Sequence, residues 1–451
     1  MTLTVLNPAT EESIAELEQA GVEEADEAVG RAREAFPAWS AVAPGDRARL
    51  LRRLATLVEE NLEELARIES RNVGKPISGA RGEISMVAQV FHFYAGAVDK
   101  HHGETIPVAG GVAATFREPL GVVGLIVPWN FPANIASWKL GPALACGNTI
   151  VLKPAELTPL SAIRLGELCL DAGIPEGVVN VLVGKGSVVG QRLIEHPDVA
   201  KIAFTGSTEV GRLVMQGAAG TIKRVTLELG GKSANVVFED ADLEKAAAAA
   251  PYSVFDNAGQ DCCARSRILV QKSVYDAFLD RLIEATRGVR VGDPSLDETE
   301  MGPLISAEHR ATVASYLDGA SIAFRGEAPE SEGFWFPCTL VEATNEDRVA
   351  REEVFGPVAA VIPFEDEADA IRIANDTPYG LSGSIWTRDG ARALRVARAT
   401  EAGVLSVNAN TSVRVQTPFG GFKQSGFGRE LGMHALEGYS EVKSVFISTE
   451  G

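Results

Sequence analysis

Cysteine is scarce in this chain, with five residues among 451: Cys146, Cys169, Cys262, Cys263 and Cys338. An odd, sparse set without framework spacing excludes a disulfide scaffold and points to reduced thiols in a cytoplasmic setting. Cys262 and Cys263 are adjacent, a pair that ordinary disulfide geometry disfavours. Positive charge is also short: 42 Lys and Arg stand against 61 Asp and Glu, a net charge of −19. Nucleic acid and anionic membrane surfaces both need a basic face, so neither is an expected partner. No apolar run approaches the roughly 20 residues of a membrane span; the stretch from Val122 to Pro128 is far shorter. Met1 to Pro8 carries no basic segment and no long apolar one, so no signal peptide is expected. The six histidines, His92, His101, His102, His196, His309 and His434, all lie away from Cys262 in sequence. No His/Cys/Asp/Glu cluster has metal-ligand spacing, so no metal is expected.

What is present is the composition of a globular protein, 45% hydrophobic and 23% charged. The length fits two or three domains. Val22, Ala25, Val29, Ala32 and Phe36 recur at helical spacing, and Leu50, Leu54, Leu57 and Val58 continue the pattern in a second helix. Val122 to Val127 is an unbroken apolar run of strand length, as a strand buried on both faces requires. An amphipathic helix is expected over Ile135–Cys146. Strands at 149–152, 178–182 and 200–204 then alternate with helices at 161–172, 188–195 and 209–218. A second alternating region runs from about Asn235 to Val407. Strand–helix alternation predicts an α/β fold of parallel sheets with helices on their faces. Segments 103–117 and 433–448 fit neither unit.

Four constellations carry chemistry. In Asn257-Ala258-Gly259-Gln260-Asp261-Cys262 a glycine allows a sharp turn beside a cysteine. A nucleophilic thiol needs a partly open, electropositive place, whereas a structural cysteine is buried. Glu228, in Leu227-Glu228-Leu229-Gly230-Gly231-Lys232, is either a base with a raised pKa or the salt-bridge partner of a neighbour such as Lys232. Pro128-Trp129-Asn130-Phe131-Pro132 offers an amide donor for an oxyanion, or is only a rigid turn. Lys153-Pro154-Ala155-Glu156 and Phe204-Thr205-Gly206-Ser207 each link a strand to a helix. The second puts backbone N–H groups at a helix N-terminus, a natural phosphate site, although it is not the GxGxxG fingerprint.

These motifs together resemble the aldehyde dehydrogenase superfamily, from Asn7-Pro8-Ala9-Thr10 to Pro418-Phe419-Gly420-Gly421-Phe422-Lys423-Gln424-Ser425-Gly426. Gly259-Gln260-Asp261-Cys262 matches the family's cysteine motif, and Glu228-Leu229-Gly230-Gly231-Lys232 its glutamate motif, 34 residues upstream. The resemblance implies a Rossmann-type cofactor domain over 1–102 and 120–229, a catalytic domain over 230–432, and a small β oligomerisation element from 103–119 and 433–451. It implies that Cys262 attacks the aldehyde, Asn130 holds the oxyanion and Glu228 activates water to release the acid. Lys153 and Glu156 would meet the adenosine ribose of NAD, Gly206 and Ser207 its pyrophosphate, and Glu353 and Phe355 the nicotinamide ribose. Trp129 would line the phosphate path, and Leu229 would complete the cofactor set. A carboxylate at Glu156 repels a 2′-phosphate, which favours NAD over NADP. Relatives are homodimers or homotetramers.

By the same likeness the substrate tunnel would be lined by Phe131, Ile135, Trp138, Asp256, Asp261, Val413 and Phe419. Two aspartates beside the thiol suit an ammonium-bearing substrate, and the motif resembles the aminobutyraldehyde and betaine-aldehyde branch. The expectation is an ω-aminoaldehyde such as 4-aminobutanal. The alternative is that the aspartates are held in backbone hydrogen bonds. A CoA-acylating relative, a cofactor-independent thiol hydrolase or transferase, and a non-catalytic binding protein remain the competing readings. Glu228 argues against the first. The lack of a histidine near Cys262 counts against the second.

Overall fold

The computed structural model describes residues 2–411 and 413–450. Met1, Ser412 and Gly451, which fall inside the expected domain ranges, lie outside the described residues. The chain opens with an antiparallel hairpin, Thr2–Leu6 with Ser13–Glu18. Four helices follow, Val22–Ser40, Pro44–Glu60, Leu62–Val73 and Ile77–Ala97.

A six-stranded sheet comes next. Across it the strands run Gly426–Phe427, Arg224–Glu228, Val199–Thr205, Val122–Ile126, Thr149–Lys153, Val179–Val181. All neighbours are parallel except the short edge strand Gly426–Phe427. Val122–Ile126 is first in the chain among the parallel strands, and its successors lie on both sides of it. That order makes a topological switch point beside it, the usual ligand crevice of such sheets. One face packs on Ala25, Ala28, Val29 and Ala32 of the first helix together with Val214 and Ala218 of helix Thr208–Ala219. The other face joins the larger core built by the second, third and fourth helices. Cover on both faces is why Val122–Ile126 reads as a continuous apolar run.

Two local expectations are corrected. The helix expected to be amphipathic over Ile135–Cys146 spans Pro132–Ala145, and every residue in it is buried. It starts earlier because Pro132 supplies a preset φ and needs no hydrogen-bond acceptor for an N–H. It is buried all round because it lies between the sheet and helix Ile77–Ala97. Its one charge, Lys139, is neutralised by Glu430 at 2.6 Å. The helix expected at 188–195 is a π-turn, Gly186–Gly190, running into the short helix Gln191–Glu195.

A second sheet has seven strands in the order Ser321–Arg325, Thr339–Glu342, Val358–Phe364, Arg267–Gln271, Ala234–Val237, Ser382–Trp386, Val404–Val407. Only Ser321–Arg325 runs antiparallel to its neighbour. A third sheet joins Thr105–Val108, Gly111–Pro119 and Ser440–Ser448, all antiparallel. Among the described residues no helix is long and apolar enough to cross a membrane.

Candidate active site

Cys262 lies after helix Leu243–Val254 and before strand Arg267–Gln271, on a loop with unusual backbone. Asn257, Ala258 and Gly259 hold φ of 48°, 56° and 71° in succession. Non-glycine residues in this region store about 1–3 kcal/mol each. Hydrogen bonds hold them there. Asn257 Nδ2 donates to Asn130 O at 3.0 Å and to Gln260 O at 3.3 Å. Gln260 Nε2 donates back to Asn257 O at 3.0 Å, while Ile305 N–H donates to Gln260 Oε1 at 2.8 Å. Gly259 is required twice over, because a Cβ there would stand 2.2 Å from Gly356 O. Asn130 Nδ2 donates to Gln260 O at 2.9 Å. The Pro128–Pro132 loop is thereby fastened to the Cys262 loop, and an amide nitrogen carries a second hydrogen for another acceptor.

Glu228 ends strand Arg224–Glu228 and is buried with no hydrogen-bond partner on either oxygen. The pairing with Lys232 weighed from the sequence is not formed, and the Lys232 ammonium is also buried without a hydrogen-bond partner. Burial first, and the nearby charge of Glu430 second, hold the Glu228 carboxyl well above the ordinary range; Lys139 and Arg429 oppose them. The segment Pro418–Gly426 closes over this residue. A Cβ on Gly420 would stand 2.8 Å from Glu228 Oε1, and Gly426 pairs with Glu228 as the edge strand.

Cys262 opens on a cavity of about 460 Å³. Phe131, Ile135, Trp138, Asp256, Asp261, Val413 and Phe419 all line it. Trp138 meets Phe419 edge-on at 5.0 Å between ring centroids. Each aspartate spends one oxygen on backbone. Asp256 Oδ1 accepts from Asn257 N–H at 2.9 Å, and Asp261 Oδ1 accepts from Cys263 N–H at 2.8 Å. Surrounding protein raises the pKa of both, and each aspartate feels another carboxylate or cation across the wall: Asp261 raises Asp256, and Arg265 lowers Asp261. The Cys262 thiol is held well above its usual value, first by its hydrogen bond with Cys263, then by burial and by the charge of Asp261. No histidine is among the residues lining the cavity.

Several contributors escape a sequence reading. Met86, Tyr252, Arg265, Glu300 and Asn410 also line the cavity. Lys75 pairs with Glu69 at 3.2 Å and with Glu83, and its ammonium sits 4.5 Å from the centre of the Phe131 ring. Glu69 also accepts from Ala133 N–H at 3.0 Å, at the start of the buried helix. This ion cluster supports the Asn130 loop from below. Only the charged Gly74-Lys75-Pro76 break between two helices hinted at it.

The sequence profile described as the aldehyde dehydrogenase family matches residues 1–445. The chain belongs to the aldehyde dehydrogenase family. It is 43% identical to a betaine aldehyde dehydrogenase of Bacillus subtilis, over 99% of this chain and 94% of that protein. It is 45% identical to an aldehyde dehydrogenase of Aspergillus niger, over 98% of this chain and 91% of the other. Among solved structures, PnpE of Pseudomonas sp. WBC-3 in complex with nicotinamide adenine dinucleotide superposes with a TM-score of 0.98 at 46% identity, covering 100% of this chain and 95% of that one. Betaine aldehyde dehydrogenase of Staphylococcus aureus in complex with NAD⁺ gives 0.97 at 40% identity, covering 100% and 92%.

The residues expected to meet a dinucleotide lie at the carboxyl ends of the parallel strands and in the loops beside them. Ser207 caps helix Thr208–Ala219, its hydroxyl accepting from Val210 N–H, with Gly206 just before it. The neighbouring Thr205 hydroxyl is buried without a hydrogen-bond partner. Lys153 is buried and donates to Pro154 O, and burial lowers its pKa. Glu156 Oε2 accepts from Gly186 N–H at 3.5 Å. At the other end Trp129, Phe355 and His309 form a three-ring cluster, and His309 Nε2 donates to Phe355 O. Glu353 Oε1 accepts from Gly231 N–H at 2.8 Å, and burial pushes its carboxyl up to about 7. Leu229 is buried against Gly211.

A Gly259→Ala variant is expected to lose stability and to lower kcat/KM by about 100-fold or more, since a displacement of about 1 Å in a catalytic loop has that effect. Thermal melting and steady-state kinetics check it, and a variant with wild-type kinetics would refute the close-approach argument.

Proposed function

We propose that the enzyme oxidises an ω-aminoaldehyde, such as 4-aminobutanal, to the corresponding acid, with NAD⁺ as hydride acceptor. The observation that carries this reading is the placement of Asp256 and Asp261 on the wall of the cavity that Cys262 faces. Three carboxylates, Asp256, Asp261 and Glu300, line it against one guanidinium, Arg265, which donates to Cys263 O and Ser384 Oγ. A cationic tail entering this cavity regains in the carboxylates what it loses in water.

In this reading the Cys262 thiolate attacks the aldehyde carbon, and the Asn130 amide, fixed by the Gln260 contact, donates to the oxyanion of the thiohemiacetal. Lys153 and Glu156 would hold the adenosine ribose, Gly206 and Ser207 the pyrophosphate, and Trp129, Leu229, Glu353 and Phe355 the nicotinamide half. When bound there, the dinucleotide supplies the acceptor for the hydride that leaves the thiohemiacetal carbon. Glu228 then takes a proton from the water that cleaves the Cys262 thioester, and the acid departs. The relatives that carry bound NAD support this cofactor, and Glu156 disfavours a 2′-phosphate. Betaine aldehyde is the second reading, favoured by the named Bacillus relative and by Phe131, Trp138 and Phe419 on the cavity wall. Aromatic faces attract quaternary ammonium.

We also infer a homodimer or homotetramer formed through the third sheet. That sheet exposes Ile106, Val108, Val442 and Phe446 on one face and Val112, Phe116 and Ile447 on the other. Such a bare apolar surface marks an interface. A cytoplasmic, reducing setting is supported by the five free cysteines.

Three expectations follow from these readings. NADH production across an aldehyde panel, with NAD and NADP in parallel, should give a higher kcat/KM for 4-aminobutanal than for butanal, with the preference reduced in Asp261→Asn. Equal values, or a preference that survives the substitution, would refute the substrate assignment, and a maximum at betaine aldehyde would replace it. Glu228→Gln should lower kcat by about 10²–10⁴-fold while retaining a burst of NADH as the thioester accumulates. Because the Glu228 carboxyl is held high, its proton-accepting form grows as pH rises. Wild-type kcat should climb through neutral into alkaline pH, and the variant should lose that limb. Phe446→Glu should shift the sedimentation coefficient toward the monomer, and an unchanged value would move the interface elsewhere.

A further inference from the structure

Cys263 has no part in the chemistry above, yet it lines the same cavity as Cys262. No spacing pattern in the sequence announced a metal site. Even so, one carboxylate oxygen of Asp261 and the sulfurs of Cys262 and Cys263 all lie within 4.8 Å of one another. Zinc bonds thiolate sulfur at about 2.3 Å and carboxylate oxygen at about 2.0–2.2 Å, so tetrahedral ligand atoms sit about 3.5–3.8 Å apart. The three side chains need to contract by on the order of 1 Å or less to reach that spacing, within the reach of side-chain rotation.

The surroundings favour such an ion. Asp261 is held beside the sulfurs because its Oδ1 accepts from Cys263 N–H at 2.8 Å. The backbone beneath is fixed by the Asn257–Gln260–Asn130 contacts. Asp256 adds a second carboxylate to the same cavity wall, and Arg265 directs donors to Cys263 O and Ser384 Oγ. All three residues line the cavity, so an ion held by them could take a water as its fourth ligand. Two thiolates and one carboxylate are a soft, anionic set that selects zinc or cadmium over magnesium or calcium.

We propose that Asp261, Cys262 and Cys263 form a three-ligand site for one soft divalent ion, zinc in the cell, that reversibly caps the thiol facing the substrate cavity. Binding forms two metal–sulfur bonds and one metal–oxygen bond and releases the two thiol protons to solvent, with no change of oxidation state. The inhibition rests on the proposed role of Cys262, and the binding does not.

The test uses the purified full chain, freed of metal with EDTA. Cadmium is titrated while the ultraviolet cadmium–thiolate charge-transfer band is recorded, and zinc is titrated against NADH production. The expected result is a band that saturates at one cadmium per chain, and inhibition by zinc that EDTA reverses. Cys263→Ala, with each rate scaled to its own metal-free value, should lose a large part of the band and need at least about tenfold more zinc for half inhibition. Cys263→Ser, nearly the same size, gives the same comparison if the alanine variant folds poorly. A wild-type enzyme indifferent to zinc, or cysteine variants inhibited at the wild-type concentration with the band unchanged, would overturn the site. Cys262→Ala separates the two readings: NADH production that survives it defeats the nucleophile assignment, whereas the band in the wild-type chain still reports the metal site.

Discussion

The structure depends on one carbonyl. Gln260 O accepts from Asn130 Nδ2 and from Asn257 Nδ2, and so joins two loops at the seam between the two parallel sheets. Asn130 belongs to the loop after Val122–Ile126 in one sheet. Asn257 and Gln260 belong to the loop before Arg267–Gln271 in the other. Without this junction the left-handed run Asn257–Gly259 would relax, because two of its residues carry a Cβ in a conformation that disfavours one. The same contacts set the distance between an amide donor and a thiol. A local strain of a few kcal/mol is thus offset by hydrogen bonds that also arrange the reactive groups.

Charge in the dry interior is managed by the same rule. Lys139 and Glu430 form an ion pair with both side chains essentially inaccessible, and the Glu430 backbone pairs with Phe419 in the segment that closes over Glu228. Removing one partner of such a pair typically costs about 3–5 kcal/mol. Lys201 lies nearby, pushed down to about 7 by burial, over the ring of Tyr439. Glu228 is different in kind. Among the described residues it has neither an ion-pair partner nor a hydrogen bond, and burial holds its carboxyl well above the ordinary range. Lys232 shares that isolation, its ammonium also buried without a hydrogen-bond partner among the described residues.

Much of the fold was legible because strands buried on both faces leave continuous apolar runs, as at Val122–Ile126 and Thr149–Lys153. Strand Ser382–Trp386 left no such trace, although it is interior to its sheet and wholly buried. Its small residues, Ser382, Gly383 and Ser384, satisfy themselves by hydrogen bonds and close packing, and Ser384 Oγ meets both Arg265 and Ser406. Arg224–Glu228 was hidden for a related reason, since its apolar content is broken by Thr226 and by Glu228 itself. In the site, the residues on short contiguous motifs were readable, because a turn forces its own sequence. Met86 and Glu300 were not, because each is brought to the cavity by packing of a distant element, and Lys75 is brought in the same way only as far as the Phe131 ring. No local spacing encodes that approach.

The last constraint is electrostatic. Asp261 precedes the thiol, and its charge, together with Cys263 and burial, holds the Cys262 proton in place. An enzyme that relies on a thiolate gains nothing from that arrangement unless the carboxylates answer to something else in the cavity. A cation does both things at once. It lowers the cost of ionising Cys262 by adding positive charge nearby, and it satisfies Asp256 and Asp261, whose own ionisation is opposed by burial. In the proposed reading a positive charge against the two aspartates would therefore favour the thiolate. An ammonium tail supplies that charge while leaving the sulfur free to attack. A soft metal ion supplies more of it but keeps the sulfur for itself. In the two proposals Asp261 is the shared side chain, and what separates a substrate from an inhibitor is where the cation would put its bonds.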